Sequence, residues 1–348
     1  MPELRRDMVR DNWVIVVTES VLKPGNFPIN KNGTYVSNTD KICPFCEGNE
    51  AYTPPEIAAF RKENSEPNAP GWIIRTIPSK FSAFKLEGKL YPEQNGIYNS
   101  YPAIGQQEVV IGTPEHGVEF HQFSVARIEL VYRMLQQRYR ALAADKRIKY
   151  IQIYKNKGLF AGASQEHSHS QILGLPMVPQ NNKGMVKYFR QFGECLLCTI
   201  IRKEKEKAER IVYESEYFIL ICPYASRFSY ETWIIPKRHF EHLTDMTDAE
   251  LKDLSAAIKK FFVAMVDCLD DPSYNVVVNT APVNVPYVGG YHWYMEITPR
   301  FIVPNGLEIS TGYYTNPSAP EIAAAMLREK IKEGISKINS DFTAKTPS

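Results

Sequence analysis

The sequence lacks the features that mark membrane, secreted and nucleic-acid-binding proteins. Its formal net charge is only +2 and no block of like charges stands out, which disfavours a role on nucleic acid or on a membrane surface. No stretch approaches the run of about 18 uncharged apolar residues that a membrane span requires. The N-terminal segment has no apolar core of the kind found in signal peptides. We therefore expect a cytoplasmic protein that binds neither membrane nor nucleic acid.

Cysteine is also scarce, and most of it is paired. Of six cysteines, four form two C-x-x-C pairs, Cys43/Cys46 and Cys195/Cys198. In a reducing compartment such pairs bind metal or do redox work more often than they form structural disulfides. Redox work is the weaker interpretation here, because neither pair precedes a recognisable thioredoxin-like unit. The remaining cysteines, Cys222 and Cys268, stand alone in apolar runs and are predicted to be small buried side chains.

The second half of the chain repeats the first. Each half opens with a C-x-x-C pair and continues with an apolar strand ending in a histidine, His116 or His239. A long amphipathic helix follows, then a β-branched and aromatic strand, then a second alternating strand preceded by a glycine-containing loop. The second strand carries His167 or His292, so the two histidines are 167 − 116 = 51 and 292 − 239 = 53 residues apart. Four elements in the same order indicate a duplicated unit.

This pattern predicts an α+β fold made of two units, each an antiparallel sheet with a long helix packed on it. The 348 residues suffice for two domains of typical size. The polar stretch 176–185 predicts the boundary, which divides the chain into domains 1–180 and 181–348. Helices are predicted over about 124–144, from Thr247 onward and over 320–340, and strands over 150–156, 167–173, 274–280 and 292–298.

Each half offers the two cysteines and two histidines of a tetrahedral zinc site. His121 and His242 fall outside the repeat and are predicted to lie at the surface, although His242 could replace His239 as a ligand. Because the ligands are far apart in sequence, zinc would tie the cysteine knuckle to the sheet. The predicted sets are Cys43, Cys46, His116 and His167 in the first half, and Cys195, Cys198, His239 and His292 in the second.

A metal site leaves part of the stretch QEHSHSQ, residues 165–171, unexplained. Zinc needs only one of its histidines, and residues two apart on a strand share a face at a separation of about 6.6 Å. The second half has Tyr294 at the position that matches His169, and Glu296 at the position that matches Gln171. The ligand positions are therefore duplicated and the His169 position is not. This asymmetry predicts that His169 is the functional residue.

The stretch His167-Ser168-His169-Ser170-Gln171 resembles the signature of the galactose-1-phosphate uridylyltransferase family, within the histidine-triad superfamily. Asn156-Lys157-Gly158 and Gly162-Ala163-Ser164 match upstream family motifs at the same offsets, and CPFCEGNE followed by TPPEI resembles the family's N-terminal zinc knuckle. The resemblance runs nearly end to end. It implies two fused histidine-triad-like domains and, from the family, a homodimer.

The resemblance also implies a double-displacement reaction. His169 would attack the α-phosphorus of a nucleoside diphosphate sugar, release a sugar 1-phosphate and pass the nucleotidyl group to a phosphate-bearing acceptor. Imidazole suits this task because it is largely neutral at pH 7, nucleophilic and a reasonable leaving group from phosphorus. Further phosphate contacts are implied for Gln171, for Ser164 with the Gly162 backbone, and for Asn156 and Lys157.

The sequence departs from other family members at several positions. Those members bind their second metal, often assigned as iron, through a glutamate and several histidines, whereas the second cysteine pair here predicts zinc. Ser168 and Ser170 replace a proline and a glycine. In the sugar segment 306–317, Glu308 matches the glutamate that contacts the hexose and Tyr314 replaces a glutamine. In the base segment 74–84, which supplies the expected contacts Ser79 and Phe81, Ser79 replaces an asparagine.

Three functions follow as expectations. The first is nucleotidyl transfer between a nucleoside diphosphate sugar and a sugar 1-phosphate, most commonly uridylyl transfer to galactose 1-phosphate. The second is ADP-glucose phosphorylase, which uses inorganic phosphate as acceptor, because the sugar segment resembles the branch that includes this enzyme. The third is a zinc-stabilised protein that binds nucleotide sugars without turnover. The base, the hexose and the acceptor stay open at this point.

Overall fold

The computed structural model describes residues 3–7, 12–16, 42–179, 183–286 and 289–343. Ten strands form one continuous antiparallel sheet, and four further strands form a second, smaller sheet. Within the described residues, no helix combines the length and apolar composition of a membrane span. The predicted α+β class is confirmed.

The large sheet contains five strands from each half of the chain. Its spatial order is β3-β4-β7-β9-β8-β13-β14-β12-β11-β10. The first-half strands are β3 (Ala58–Arg61), β4 (Trp72–Pro78), β7 (Gln106–Ile111), β8 (Tyr150–Lys157) and β9 (His169–Leu175), and the second-half strands are β10 (Ile211–Glu214), β11 (Phe218–Ile221), β12 (Thr232–Pro236), β13 (Tyr274–Asn279) and β14 (Tyr294–Pro299). The small sheet contains β1 (Glu3–Asp7), β2 (Asn12–Val16), β5 (Glu93–Asn95) and β6 (Tyr98–Pro102).

The two halves meet edge to edge at the middle of the large sheet. β8 pairs antiparallel with β13, with Tyr154 opposite Val277. On one side of this junction Tyr154 pairs with Gln171 of β9, and on the other Val277 pairs with Glu296 of β14. Gln171 and Glu296 therefore occupy equivalent places, as the repeat predicts. Because all ten strands share one sheet, a domain boundary at 176–185 stays a prediction.

Two long helices cover one face of the sheet and pack on each other. They are α1 (Val125–Ala143) and α4 (Asp248–Leu269). Ser124 caps α1, and Thr247 with Glu250 forms the predicted capping box of α4. The predicted apolar stripes are buried between helices and sheet: Ile128, Val131, Leu135, Tyr139 and Leu142 on α1, and Leu251, Leu254, Ile258, Phe261, Phe262 and Met265 on α4.

The other helices are α2 (Lys183–Phe192), α3 (Leu196–Lys207), α5 (Gly306–Thr311) and α6 (Pro320–Thr343). The predicted closing helix is α6, which packs on α4 and β10. Cys222 is fully buried and Cys268 is partly buried.

The predicted strands at 167–173 and 292–298 were placed two residues too early. β9 begins at His169 and β14 begins at Tyr294. The ladder partner of β9 is β7, which ends at Ile111 opposite His169. Beyond this pair Gly112 N–H donates to the Ser168 carbonyl at 3.1 Å, and His167 has no ladder partner among the described residues. His167 therefore lies just before the strand that begins with His169, and His292 just before the strand that begins with Tyr294.

Candidate active site and metal centres

The structure brings the first predicted ligand set together. The ligand atoms of Cys43, Cys46, His116 and His167 lie within 4.8 Å of one another. Nδ1 of His167 is 3.6 Å from both Sγ atoms, and Nδ1 of His116 is 3.6 Å from Sγ of Cys46. Tetrahedral zinc bonded to sulfur at 2.3 Å and to nitrogen at 2.0–2.1 Å separates S and N by roughly 3.6 Å. The spacing therefore fits one zinc ion.

The second predicted set has the same geometry. The ligand atoms of Cys195, Cys198, His239 and His292 also lie within 4.8 Å of one another, with Sγ–Nδ1 distances of 3.6–3.7 Å. The alternative ligand His242 is engaged elsewhere, because its Nδ1 is 2.9 Å from the hydroxyl of Tyr139. His242 and His121 are both partly exposed and belong to neither ligand set.

Backbone carbonyls fix the tautomer of the buried histidine in each set. Nε2 of His167 donates to the carbonyl of Thr113 at 2.7 Å, and Nε2 of His292 donates to the carbonyl of Pro236 at 3.1 Å. In both rings Nδ1 is left with its lone pair facing the two thiols. Metal-bound histidines usually have such a partner on the other ring nitrogen. Both sets are therefore suited to bind a metal ion; zinc itself stays a prediction.

His169 is the first residue of β9 and is only 6% exposed. Its Nδ1 donates to the carbonyl of His167 at 2.7 Å, which leaves Nε2 unprotonated. Burial, with a smaller contribution from the nearby Lys155 charge, lowers the pKa of His169 to about 4. The ring is therefore neutral at pH 7, with one nitrogen available as a nucleophile.

Two side chains that the sequence did not single out orient Gln171. Its Oε1 accepts hydrogen bonds from Nε2 of Gln107 at 2.6 Å and from the hydroxyl of Tyr154 at 2.9 Å. Two donors on the carbonyl oxygen leave the amide NH₂ of Gln171 free to donate to a ligand. A phosphoryl oxygen accepts hydrogen bonds, so it requires a donor such as this NH₂ group. The sequence could have indicated Tyr154, because it lies two residues from Asn156 on β8 and therefore shares its face.

The knuckle also supplies a residue that sequence reasoning missed. The ring of Phe45, between the two cysteines, contacts His169 edge-on with centroids 5.3 Å apart and His167 with centroids 6.1 Å apart. The metal set and the nucleophile therefore share a packing partner. No spacing rule identifies Phe45, because the residues inside a C-x-x-C pair vary freely.

Ser168 points to the opposite side of the strand from the two histidines. Its Oγ lies 2.8 Å from Nζ of Lys155 and donates to Glu119 at 3.0 Å. The same carboxylate oxygen pairs with Lys155 at 2.9 Å and accepts from the hydroxyl of Tyr274 at 3.1 Å. All four residues are at most 6% exposed. This buried network clamps the backbone between His167 and His169 and, through Tyr274, joins it to the second half.

The predicted phosphate contacts are only partly brought together. The side-chain NH₂ of Asn275 donates to Oδ1 of Asn156 at 2.8 Å and to the carbonyl of Ala161 at 2.9 Å. Ala161 lies in the loop that carries Gly162 and Ser164. Lys157 lies on the other face of β8 from Asn156, since successive residues of a strand point to opposite faces. Its ammonium pairs with Asp271 at 2.6 Å. The structure therefore does not place Lys157 beside Asn156.

The predicted sugar and base contacts also differ in their placement. Tyr314 lines a cleft of about 660 Å³ together with Asn156. Glu308 is not among its lining residues; its carboxylate accepts from the backbone N–H groups of Asn305, just before α5, and of Thr315, four residues after it. Ser79 is bonded to the carbonyl of Gln107 through its N–H at 2.8 Å, and Phe81 is 88% exposed.

Comparisons with known proteins agree on one family. The family model described as galactose-1-phosphate uridyl transferase, N-terminal domain, matches residues 2–179, and the corresponding C-terminal domain model matches residues 181–297. ADP-glucose phosphorylase of Arabidopsis thaliana is 33% identical over 94% of this chain and 93% of its own length. Galactose-1-phosphate uridylyltransferase of Thermotoga maritima is 30% identical over 94% of this chain and 98% of its own length.

Solved structures show the same relationship. The crystal structure of an ADP-glucose phosphorylase from Arabidopsis thaliana with bound ADP-glucose has a TM-score of 0.71 at 31% identity, covering 94% of this chain and 99% of that one. A uridylyltransferase structure has a TM-score of 0.78 and covers 96% and 99% of the two chains. At 24% sequence identity, this structural likeness shows a common fold.

We predict two zinc ions per chain. Metal analysis of the purified protein should give two, and Cys46→Ser and Cys198→Ser should each lose one, because a tetrahedral set with three strong ligands holds zinc less tightly. Cys222→Ala is the matched control, since this buried cysteine belongs to neither set, and should retain two. One or no zinc in the wild type would remove the second site.

We also predict that Ser168→Ala destabilises the protein by about 1.5–3 kcal/mol, the usual worth of hydrogen bonds to charged groups. The buried Lys155–Glu119 pair would lose a shared partner that no water replaces. Urea unfolding measures the change. Ser170→Ala is the control: it points to the same side of the strand, and no hydrogen bond of its hydroxyl to a described residue is seen. Equal losses in the two variants would contradict the clamp.

Proposed function

The chain belongs to the galactose-1-phosphate uridylyltransferase family; from that premise we propose that it transfers a nucleotidyl group from a nucleoside diphosphate sugar to a phosphate-bearing acceptor through His169. The observation that carries the proposal is the state of this histidine. Its Nδ1 donates to the His167 carbonyl at 2.7 Å, which leaves the lone pair of Nε2 free to attack, and burial lowers the pKa of the ring.

The first half-reaction forms one bond and breaks one. Nε2 of His169 attacks the α-phosphorus, a P–N bond forms, and the bond from the α-phosphorus to the bridging oxygen breaks. The sugar 1-phosphate leaves with that oxygen and its electron pair. The Nδ1 proton stays on the ring, which therefore gains a positive charge, and the His167 carbonyl 2.7 Å from Nδ1 stabilises that charge. No other proton moves.

The second half-reaction reverses these events with a new partner. A phosphate oxygen of the acceptor attacks the nucleotidyl phosphorus, the P–N bond breaks, and His169 returns as neutral imidazole. The amide NH₂ of Gln171, oriented by Gln107 and Tyr154, donates to a phosphoryl oxygen as negative charge develops there. Ser164 and the Gly162 backbone would hold the other phosphate group.

Zinc would act through position alone. Bound at Cys43, Cys46, His116 and His167, it would fix the residue whose carbonyl orients the nucleophile. The second set would fix His292, the equivalent residue of the other half, in the same way. A reducing compartment such as the cytoplasm keeps the four thiols available for metal, which supports that location.

Uridylyl transfer to galactose 1-phosphate is our leading assignment, and adenylyl transfer to inorganic phosphate is the second. The first is the reaction named for the relative from Thermotoga maritima. The second is supported by the Arabidopsis thaliana relative and by the replacements at Ser79 and Tyr314. Binding without turnover is the weakest, because it gives no role to a buried neutral imidazole with a free nitrogen.

A trapping and exchange experiment tests these assignments. Radiolabelled UDP-glucose or ADP-glucose should label the wild type covalently, and His169→Ala should remain unlabelled because it has no nucleophile. Chasing the labelled enzyme with galactose 1-phosphate, glucose 1-phosphate or inorganic phosphate identifies the acceptor. His242→Ala is a control outside the site and should still be labelled. Absence of label from every UDP- and ADP-sugar would disprove nucleotidyl transfer.

A homodimer is also proposed. Residues around α5 expose a run of large apolar side chains, each between 45% and 76% accessible: Phe301, Ile302, Val303, Leu307, Ile309 and Tyr313. Large exposed apolar side chains that are close together in sequence support an interaction surface here. Sedimentation equilibrium should give twice the chain mass for the wild type and one chain mass for the double variant I302E/I309E. Ile322→Glu, at an equally exposed isoleucine on α6, should stay dimeric; a monomeric wild type would exclude the dimer.

A further inference from the structure

The ammonium group of Lys157, the last residue of β8, is held by the second half of the chain. Its Nζ lies 2.6 Å from the carboxylate of Asp271 and donates to the carbonyls of Asp271 at 3.2 Å and of Pro272 at 3.4 Å. The side chain of Lys157 is only 17% exposed, whereas that of Asp271 is 52% exposed. Because a half-exposed ion pair adds little to stability, its main effect is on the placement of the segments that it joins.

The acceptors of Lys157 belong to a tight turn that follows α4. Asp270 and Asp271 have φ values of 55° and 50°, a left-handed conformation that is uncommon outside glycine. The last turn of α4 contains no basic residue. Lys157 therefore supplies, from a strand of the other half, the cation that a helix C-terminus favours. It stabilises the turn that leads to Ser273, just before β13.

Ser273 is the surface on which residues 158–164, here called the phosphate loop, begin. Gly158 has a φ of +81°, and a Cβ atom on it would lie only 2.9 Å from Cβ and 3.2 Å from Cα of Ser273. Glycine therefore lets the chain lie directly against Ser273 at this point. The Gly158 carbonyl accepts from the N–H groups of Ala161 at 3.3 Å and of Ala163 at 3.2 Å, so the loop closes on the residue that follows Lys157.

A second contact holds the other side of the phosphate loop. The side-chain NH₂ of Asn275 donates both to Oδ1 of Asn156 and to the carbonyl of Ala161, so both of its amide hydrogens are used to fix the loop. Because Asn156 and Lys157 point to opposite faces of β8, the loop is anchored from both faces of the sheet. The second half, which has no reactive imidazole, therefore supplies the anchors of this loop.

We propose that Lys157 is a positioning residue for nucleotidyl transfer, which acts through Asp271 to hold the phosphate loop on the second half of the chain. The inference rests on the proposed function, in which the Gly162 backbone and Ser164 hold the phosphate group that leaves with the sugar. That group gains negative charge as its bond to the α-phosphorus breaks, so loop placement matters more in the transition state than in the ground state. Lys157 acts from behind the loop and does not contact the phosphate.

Single-turnover labelling of His169 tests the proposal. The zinc-loaded enzyme is mixed with radiolabelled UDP-glucose or ADP-glucose, and the maximal labelling rate is separated from the half-saturating concentration. Lys157→Met should lower the maximal rate about tenfold and change the half-saturating concentration by less than about threefold. Lys157→Arg keeps the charge beside Asp271 and should recover most of the rate. Lys157→Met should fold, because the carboxylate that it leaves unpaired is half-exposed.

The variant Asp271→Asn tests whether Lys157 acts through its partner. It should also lower the labelling rate, and the double variant K157M/D271N should be no slower than Lys157→Met alone, because both changes remove the same contact. Losses that multiply in the double variant would show that Lys157 acts by another route, and would overturn the proposal.

Lys149→Met is the matched control. Nζ of Lys149 also joins the two halves, because it donates to the carbonyl of Asn284 at 2.9 Å and to that of Lys146 at 2.9 Å. Lys149 precedes β8 and so lies at the opposite end of the strand from the phosphate loop. This variant should lower the unfolding midpoint comparably but label His169 within about twofold of the wild-type rate, since distant sites act independently. Equal slowing in the two variants would indicate a general loosening and contradict the role given to Lys157.

Hydrogen exchange provides a readout that does not require turnover. The amide hydrogens of the phosphate loop should exchange faster in Lys157→Met than in the wild type or in Lys149→Met. Slower labelling without faster exchange would show that Lys157 does not act through the loop, and would also overturn the proposal.

Failure of this proposal differs from failure of the proposed function. Labelling at the wild-type rate in Lys157→Met, with only a lower unfolding midpoint, would reduce Lys157 to a structural role and leave nucleotidyl transfer standing. A wild type that no nucleotide sugar labels would remove nucleotidyl transfer, and the role of Lys157 in it, even where loop exchange rises in Lys157→Met.

Discussion

The hydrogen bond from Nδ1 of His169 to the carbonyl of His167 is the interaction on which the rest of the site depends. At 2.7 Å it decides which ring nitrogen carries the proton and which faces the substrate. A carbonyl can do this only if its own residue is immobile. The ring of His167 is held by the Thr113 carbonyl and faces the thiols of its ligand set, and Ser168 is clamped by Lys155 and Glu119. The ligand set and the buried network thus hold the backbone that positions the nucleophile.

The two halves use one scaffold for different electrostatics. In the first half, the strand face carries neutral groups: His169, Gln171 and the hydroxyl of Tyr154. In the second half, Tyr294 and Glu296 occupy the equivalent positions, with Arg227 bridging two carboxylates. Burial beside Glu296 raises the pKa of Tyr294 well above its usual value, so this hydroxyl remains a donor and is not a nucleophile. The second half retains the sheet, the helix and the ligand set but has no reactive imidazole.

Much of this was predictable from the sequence, because the repeat carries long-range information. Matching the halves identified the ligand sets, the two packed helices and the unpaired role of His169. The supporting contacts were not predictable, since they depend on sheet register: Gln107 reaches Gln171 across 64 residues, and Glu119 reaches Ser168 across 49. Lys157 is different. The alternation along YIQIYKNK, residues 150–157, assigns Lys157 to the face opposite Asn156, whereas the family motif led to the expectation that both contact phosphate.

Joining the halves in one chain is what permits this asymmetry. Two identical subunits pairing across a two-fold axis would carry the same residue at both equivalent positions. In a single chain, Gln171 and Glu296 can diverge while β8 and β13 keep their antiparallel register. Asn156 and Asn275 face each other across that junction and are hydrogen-bonded at 2.8 Å. The cleft over this junction therefore has lining residues from both halves, among them Asn156 from the first and Asn275 from the second.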